Sequence, residues 1–244
     1  MVMEIDREWE AACAVQRGFM AHSLPETDTL SYSAHCRQLR ELGGDCYDFV
    51  PLPDNRLAVT VADASGKGLA AALMISNVQS SLRTAALLKG SDGAAVLGAV
   101  NRQVHASALA DRYATLFYGV LDRSTRRLHY VNAGHNPPMV IRRDGSTEWL
   151  ETGGAPVGIF PDWTYDEGTI QLDSGDLLLA YTDGVTEAAN PAGEQWGLEG
   201  LQRAAAESAG QSTDDIVHAI FTAIYEFSRG RQTDDATVLA MRVH

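Results

Sequence analysis

Six aspartates stand where an acid could do chemistry instead of merely facing water. Asp45 follows Gly43-Gly44 and opens the run CYDFV, with Asp48 three residues further on. Asp63 closes the run VTVA and Asp183 closes LLLAYT, whereas Asp234 and Asp235 immediately precede ATVLAM. A lone acid at a strand end is a common turn residue. Several brought together are different: like charges a few ångströms apart repel, so each must be protonated, hydrated or bound to a cation. Oxygen-only ligands favour hard ions, Mg²⁺ or Mn²⁺, over zinc. The pattern points to a cation-binding carboxylate cluster if the fold gathers these positions.

Acids that follow some strands and precede others meet at one rim when the strands run antiparallel, because one strand's start then lies beside its neighbour's end. A parallel α/β sheet would place functional groups after its strands only. The expected architecture is therefore α+β, with antiparallel sheets and helices packed outside them. CYDFVPL and RLAVTVA read as a hairpin turned by Asp54-Asn55. TLFYGVL, RLHYVNA, PPMVIRR, TEWLE, GTIQL, DLLLAY and ATVLAMRV read as further strands. Helical spacing is expected over about 4–20 (Trp9, Ala11, Ala14 or Val15, Phe19), ending at Leu24-Pro25, and over 68–88 (Ala71, Ile75, Val78, Leu82, Ala85). It recurs over 92–109 (Val96, Val100, Val104), 198–208 and 213–229, the last with Ile216, Ile220, Ile224 and Phe227 as its buried stripe.

Composition excludes several classes. With 19 Lys+Arg against 32 Asp+Glu, the formal charge of −13 repels phosphate backbones and argues against nucleic acid as a partner. Three cysteines, Cys13, Cys36 and Cys46, form no CxxC pair and suggest neither a disulfide framework nor a zinc finger, and Cys46, one residue from Asp45, should point into the core. MVMEIDREWE lacks the basic start and apolar run of a signal peptide, and no apolar stretch approaches the ~20 residues of a membrane span. The expectation is a cytoplasmic protein without membrane attachment.

Two glycine motifs invite nucleotide readings and fail them. GKG precedes a helix, but the Walker A pattern needs a Gly where Val61 stands and a Ser or Thr where Gly68 stands. GGDCY shares GGD with the GGDEF hairpin of diguanylate cyclases, yet Cys46-Tyr47 replaces the acid-aromatic pair and the surrounding elements do not suit that fold.

GGDCYDF, DASGKGLAAALMI, YATLFYGVLD, YVNAGHNPP, GGAPVGIF, YTDGVTEA and DDATV occur in that order. Together they resemble the PPM (protein phosphatase 2C-like) serine/threonine phosphatases, in particular their bacterial SpoIIE/RsbU branch, over 24–244. The resemblance implies a four-layer α/β/β/α sandwich of two antiparallel sheets flanked by helices, with residues 1–23 as a linker- or switch-like helix ahead of the phosphatase domain. It also implies two Mn²⁺ or Mg²⁺ ions at one rim. On that reading Asp63 bridges both ions and activates water, the Ala64 carbonyl and Asp45 contribute on one side, and Asp183 and Asp234 are ligands on the other. Asp48 and Asp235 are the weaker candidates, and Arg37 and Lys67 could contact phosphate.

There are departures from the family pattern. The eukaryotic DGH reads Asp63-Ala64-Ser65 here, so no histidine stands ready as general acid, and Gln38 replaces a proline ahead of GGD. His135 in NAGHNPP reads as a turn-fixing residue and Glu187 as support for the TDG loop. The substrate implied is a phosphoserine or phosphothreonine on a STAS-type anti-anti-sigma factor, with the N-terminal helix mediating homodimerisation or receiving an activating partner. The alternative is a metal-binding pseudophosphatase that captures a phosphoprotein without turnover.

Overall fold

Stretches of period 2 and period 3.6 separate cleanly into sheets and helices in the computed structural model, which describes residues 2–20, 29–107 and 112–244. Helix α1 (Val2–Met20) leads into strands β1 (Leu30–Arg37), β2 (Asp45–Leu52) and β3 (Arg56–Ala64). Helices α2 (Leu69–Lys89) and α3 (Gly93–Ser107) follow. Next come β4 (Ala114–Asp122), β5 (Arg127–Ala133), β6 (Met139–Ile141), β7 (Thr147–Trp149), β8 (Gly153–Gly154), β9 (Gly168–Gln171) and β10 (Leu177–Tyr181). Helices α4 (Asp183–Thr186), α5 (Gly197–Ser208) and α6 (Thr213–Ser228) precede the last strand, β11 (Ala236–Val243).

The strands form two sheets. One has the order β1-β11-β10-β6-β7; the other runs β2-β3-β4-β5-β8, with β9 also on β5. All pairings are antiparallel except the two-residue contact of β5 with β8. Alternation along the strands divides the apolar residues into layers. Leu57, Val59 and Val61 of β3 meet Leu178, Leu239 and Met241 between the sheets. Ala58 and Ala62 face the other way, onto Ile75 and Val78 of α2 and Val96 and Val100 of α3. Leu179, Val238 and Ala240 pack outward onto Leu201 of α5 and Ile216 and Ile220 of α6. The result is the α/β/β/α sandwich.

Four elements depart from the sequence reading, the smallest being the two-residue β8, whose glycines carry no apolar alternation. Strand β1 was not expected, because YSAHCR carries too few apolar residues; it is an edge strand that buries only Leu30 and Tyr32. The TDGVT segment, read as a loop, forms the short helix α4. On α1 the apolar stripe is not the buried one: Ala11, Ala14, Val15 and Phe19 are exposed, while Cys13 and Gln16 are buried. Cys13 packs with Leu42 and Ala72, and the Gln16 amide has polar backbone to bind, which spacing of apolar residues cannot reveal. The expected helix end at Leu24-Pro25 and the last residues of the helix expected to reach 109 lie outside the described residues.

The Asp54-Asn55 turn is as expected. Both residues adopt φ 58°, the left-handed region that Asp and Asn tolerate, and Leu52 pairs with Arg56 across it. That register carries through to the other end of the hairpin and sets Asp45 opposite Asp63.

Candidate metal centre

Asp45 and Asp63 are cross-strand partners on the face of β2–β3 that looks toward the other sheet, and Asp63 in turn pairs with Thr115 of β4. In the facing sheet β10 and β11 are antiparallel neighbours, with Tyr181 opposite Val238. The end of β10 and the start of β11 therefore lie together, and they present Asp183 and Asp234-Asp235. Acids after two strands and before two others meet at one rim of the sandwich.

Asp45 is buried at 2% exposure and accepts hydrogen bonds from Thr182 Oγ1 and Thr237 Oγ1, each at 2.7 Å. The two threonines are themselves joined, the Thr237 amide donating to Thr182 Oγ1 at 2.9 Å. Asp45 of one sheet is thus fastened to both strand ends of the other. Burial raises its carboxyl above the ordinary carboxylate range and Asp235 and Asp183 add to the rise, which the two hydroxyls only partly offset. Asp63 is raised by burial and then by Asp45, Asp183, Asp234 and Asp235. Asp183 is raised by burial, Asp234 and Glu187, against the Gly184 amide and Lys67. Each of these carboxyls is penalised as an anion by its surroundings, and a nearby cation would relieve all of them.

Backbone packing around the acids is close. A Cβ on Gly43 would lie 2.6 Å from Asp235 Oδ2, and one on Gly44 would lie 3.1 Å from Ala71 Cβ and 3.2 Å from the Ala64 carbonyl oxygen. Asp235 uses that approach: its oxygens accept from the amides of Leu39 at 2.7 Å and Gly44 at 2.6 Å. Gly184 is equally constrained, since a Cβ there would meet the Asp235 carbonyl oxygen at 1.8 Å. The glycines of GGD and TDG thus let a loop of the facing sheet and a neighbouring loop of the same sheet both close on Asp235.

The remaining expected residues fall in different places. Ala64 donates its amide to the Gly44 carbonyl at 2.9 Å, which holds its own carbonyl beside the GGD loop. Asp48 turns to the opposite face of β2, where Arg83 of α2 grips it through Nε at 2.9 Å and Nη2 at 2.7 Å. Lys67 reaches Asp234 Oδ2 at 2.5 Å. Arg37 lies over the Tyr225 ring at 5.7 Å, in a cleft of about 560 Å³ between β1 and α6. Glu187 caps α4, its amide bonded to the Asp183 carbonyl at 2.8 Å.

His135 is buried behind the rim. Its backbone is held by Asn132 in both directions, at 2.7 and 3.0 Å, and its Nδ1 meets Thr115 Oγ1 at 2.8 Å. Burial lowers its pKa to about 4, a loss the Tyr181 carbonyl offsets only in part. It is a neutral residue locking the turn beside Asp63's partner strand. Cys46 points into the helix-side core and its thiol is pushed well up by burial.

Thr182, Thr237 and Gln16 were missed by sequence reasoning. Both threonines stand inside the TDG and DDAT motifs, one and two residues from an acid, where the acids alone carry the chemical signal. Gln16 Nε2 donates to the Gly43 carbonyl at 2.8 Å and its Oε1 accepts from the Gly43 amide at 3.2 Å, with Gln38 Nε2 donating to the same oxygen at 3.1 Å. Helix α1 is thereby tied to the loop that carries Asp45.

Among the described residues no three His, Cys, Asp or Glu side chains close to the spacing of a single-ion cage. Mg²⁺-like ions retain several waters and use one or two carboxylates each, so this open, all-oxygen rim suits them and does not suit zinc.

The Stage II sporulation protein E (SpoIIE) family matches residues 53–244, more than three quarters of the chain. The chain belongs to that family. It is 28% identical to Phosphoserine phosphatase RsbU of Bacillus subtilis over 98% of this chain and 71% of that protein. It is also 28% identical to Protein IcfG of Synechocystis over 96% of this chain, which spans only 41% of IcfG. The fold matches the SiaA-PP2C domain of Pseudomonas aeruginosa at a TM-score of 0.85 and 22% identity, covering 98% of this chain and 97% of that one. The RsbU and RsbW domains of Rv1364c from Mycobacterium tuberculosis match at 0.77 and 27% identity, with 88% of this chain and 60% of that one covered. None of the described helices is long and apolar enough to cross a membrane.

Proposed function

We propose that this chain is a metal-dependent protein serine/threonine phosphatase that hydrolyses phosphoserine or phosphothreonine in bacterial signalling. One observation carries the reading: Asp45, Asp63, Asp183 and Asp234, from both sheets, converge at one rim, where burial and mutual repulsion raise Asp45, Asp63 and Asp183. The family supports it, as does the likeness to two phosphoserine phosphatases of Bacillus subtilis, RsbU and RsbP, the latter 26% identical over 74% of this chain and 45% of that protein.

Asp63, central among the acids that act on one another, is the residue proposed to bridge two Mn²⁺ or Mg²⁺ ions. Asp45 and the Ala64 carbonyl would hold one ion, and Asp183 and Asp234 the other. Bound there, the ions would supply an activated water as nucleophile and offset charge on the phosphoryl oxygens. Asp235 holds the GGD loop against the start of β11, and Thr182 and Thr237 hold Asp45 at its angle. No protein nucleophile is required; Cys36 and Cys46, with thiols pushed up by burial, are poor ones.

The proposed substrate is a phosphorylated STAS-type anti-anti-sigma factor, by the resemblance set out above. A partner, or a second copy, is proposed to act through α1, whose exposed Val15 and Phe19 lie on the helix that Gln16 ties to Gly43. The test is hydrolysis of p-nitrophenyl phosphate with Mn²⁺ by the native chain and by Asp63→Asn. Absence of metal-dependent turnover by the native chain would overturn the enzyme reading in favour of phosphoprotein capture. Turnover of a phosphorylated STAS protein no faster than of small esters would overturn the substrate assignment alone.

A further inference from the structure

Lys67 stands between Gly66 and Gly68, just ahead of α2, and its side chain crosses to the start of β11. Its Nζ lies 2.5 Å from Asp234 Oδ2 and donates to the Thr233 carbonyl at 2.9 Å. The other oxygen of Asp234, Oδ1, accepts from the Asp235 amide at 2.9 Å. Both oxygens of Asp234 are therefore engaged within the chain. The same ammonium acts on Asp183, opposing the rise caused by burial and by Asp234. A tethered cation thus serves the two acids assigned above to the second ion.

We propose that Lys67 is a displaceable counter-ion, neutralising Asp234 in the metal-free protein and yielding that carboxylate to a divalent cation, which turns the freed ammonium toward an incoming phosphate. The inference rests on the metal-dependent reading above. The contact is built to release. The Lys67 side chain is 50% exposed and that of Asp234 29% exposed, so the pair is only weakly held. The four-carbon stem lets the ammonium travel without moving the loop. A dication and an ammonium on the same carboxylate repel each other, so each weakens the other's hold by the same factor. It also joins two roles: a cation that now occupies an acid, and the phosphate contact expected from its place in DASGKG.

The experiment uses the full chain, with free Mn²⁺ counted by electron paramagnetic resonance and orthophosphate binding measured at saturating Mn²⁺. Lys67→Gln should bind Mn²⁺ about three- to tenfold more tightly and orthophosphate more weakly, while Lys67→Arg, which keeps the charge, should return toward the native values. A merely structural lysine would move both affinities in the same direction or neither. Unchanged or weaker Mn²⁺ binding by a folded Lys67→Gln overturns the proposal. An arm that needs no variant measures acylation of Lys67 in the native chain by mass spectrometry: Mn²⁺ should raise its reactivity, and no change counts against release. Mn²⁺ binding without any turnover would sink the phosphatase reading and leave the counter-ion standing. Turnover with a Lys67→Gln affinity equal to native would sink the counter-ion alone, and no Mn²⁺ binding would sink both.

Discussion

Burial and four neighbouring acids push the Asp63 carboxyl in the same direction, upward. Its folded pKa lies above the unfolded value of about 4, so the folded chain holds the extra proton. The stability that this group contributes to the metal-free protein is fully present at acid pH and is lost as pH rises through the folded pKa. Calorimetric melting in chelator should accordingly show a falling transition temperature between about pH 5 and 8, with a shallower slope in Asp63→Asn. That variant should melt higher than native without metal, by about 1 kcal/mol of stability, and lose at least about 100-fold of Mn²⁺-dependent hydrolysis. A native-like slope in Asp63→Asn would remove this account of the rim. His135 works oppositely: its pKa of about 4 lies below the ordinary value, so its contribution is present above about pH 6.5 and lost as pH falls toward 4. The acids were legible because each punctuates an apolar run. Thr182 and Thr237 were not, since a hydroxyl at a strand end has many ordinary partners.

At the scale of elements, the Asp48–Arg83 pair shows how one strand serves two layers. Asp45 and Asp48 are three residues apart on β2 and so face opposite sides, one toward the facing sheet and the other toward α2. Asp48 is buried, and Arg83→Met would leave its charge unpaired at a cost of about 2–3 kcal/mol. Chemical denaturation should register that loss, with much of it recovered in Asp48→Asn/Arg83→Met and with Mn²⁺ affinity unchanged. Gln16 links a different pair of elements. Gln16→Leu keeps the size but strands the Gly43 amide and carbonyl, a loss of about 2 kcal/mol. Because Gly43 precedes Gly44 and Asp45, Mn²⁺ affinity should also fall severalfold, measured by titration of the folded variant; an unaltered affinity would confine Gln16 to holding α1. The periodicities of α2, α3 and α6 were readable because their buried faces are apolar. That of α1 misled because its anchor is an amide.

Across the whole molecule, two sheets from distant parts of the chain are fastened at one rim by Asp45 to Thr182 and Thr237, and by Asp235 to Leu39 and Gly44. A cation shared across that rim binds only the folded chain, so Mn²⁺ at about 100 times its dissociation constant should add about 2.7 kcal/mol. For a chain of this size that is a rise of roughly 5–10 °C in melting temperature, reversed by chelator and absent in Asp63→Asn. The amino-acid sequence by itself determined the α+β class, the strand ends that carry acids and the preference for a hard cation, because alternation, helical spacing and ligand chemistry are local properties. Only the tertiary structure decided which acids meet. Strand direction and the β2–β3 register set Asp45 against Asp63, pleat parity turned Asp48 away, and the approach of two glycine loops gave Asp235 to the backbone and left Asp234 to Lys67. The bonds that join the sheets, Asp45 to Thr182 and Thr237 and Asp235 to Leu39 and Gly44, link residues 137 to 196 positions apart in the chain, and no local pattern encodes that pairing.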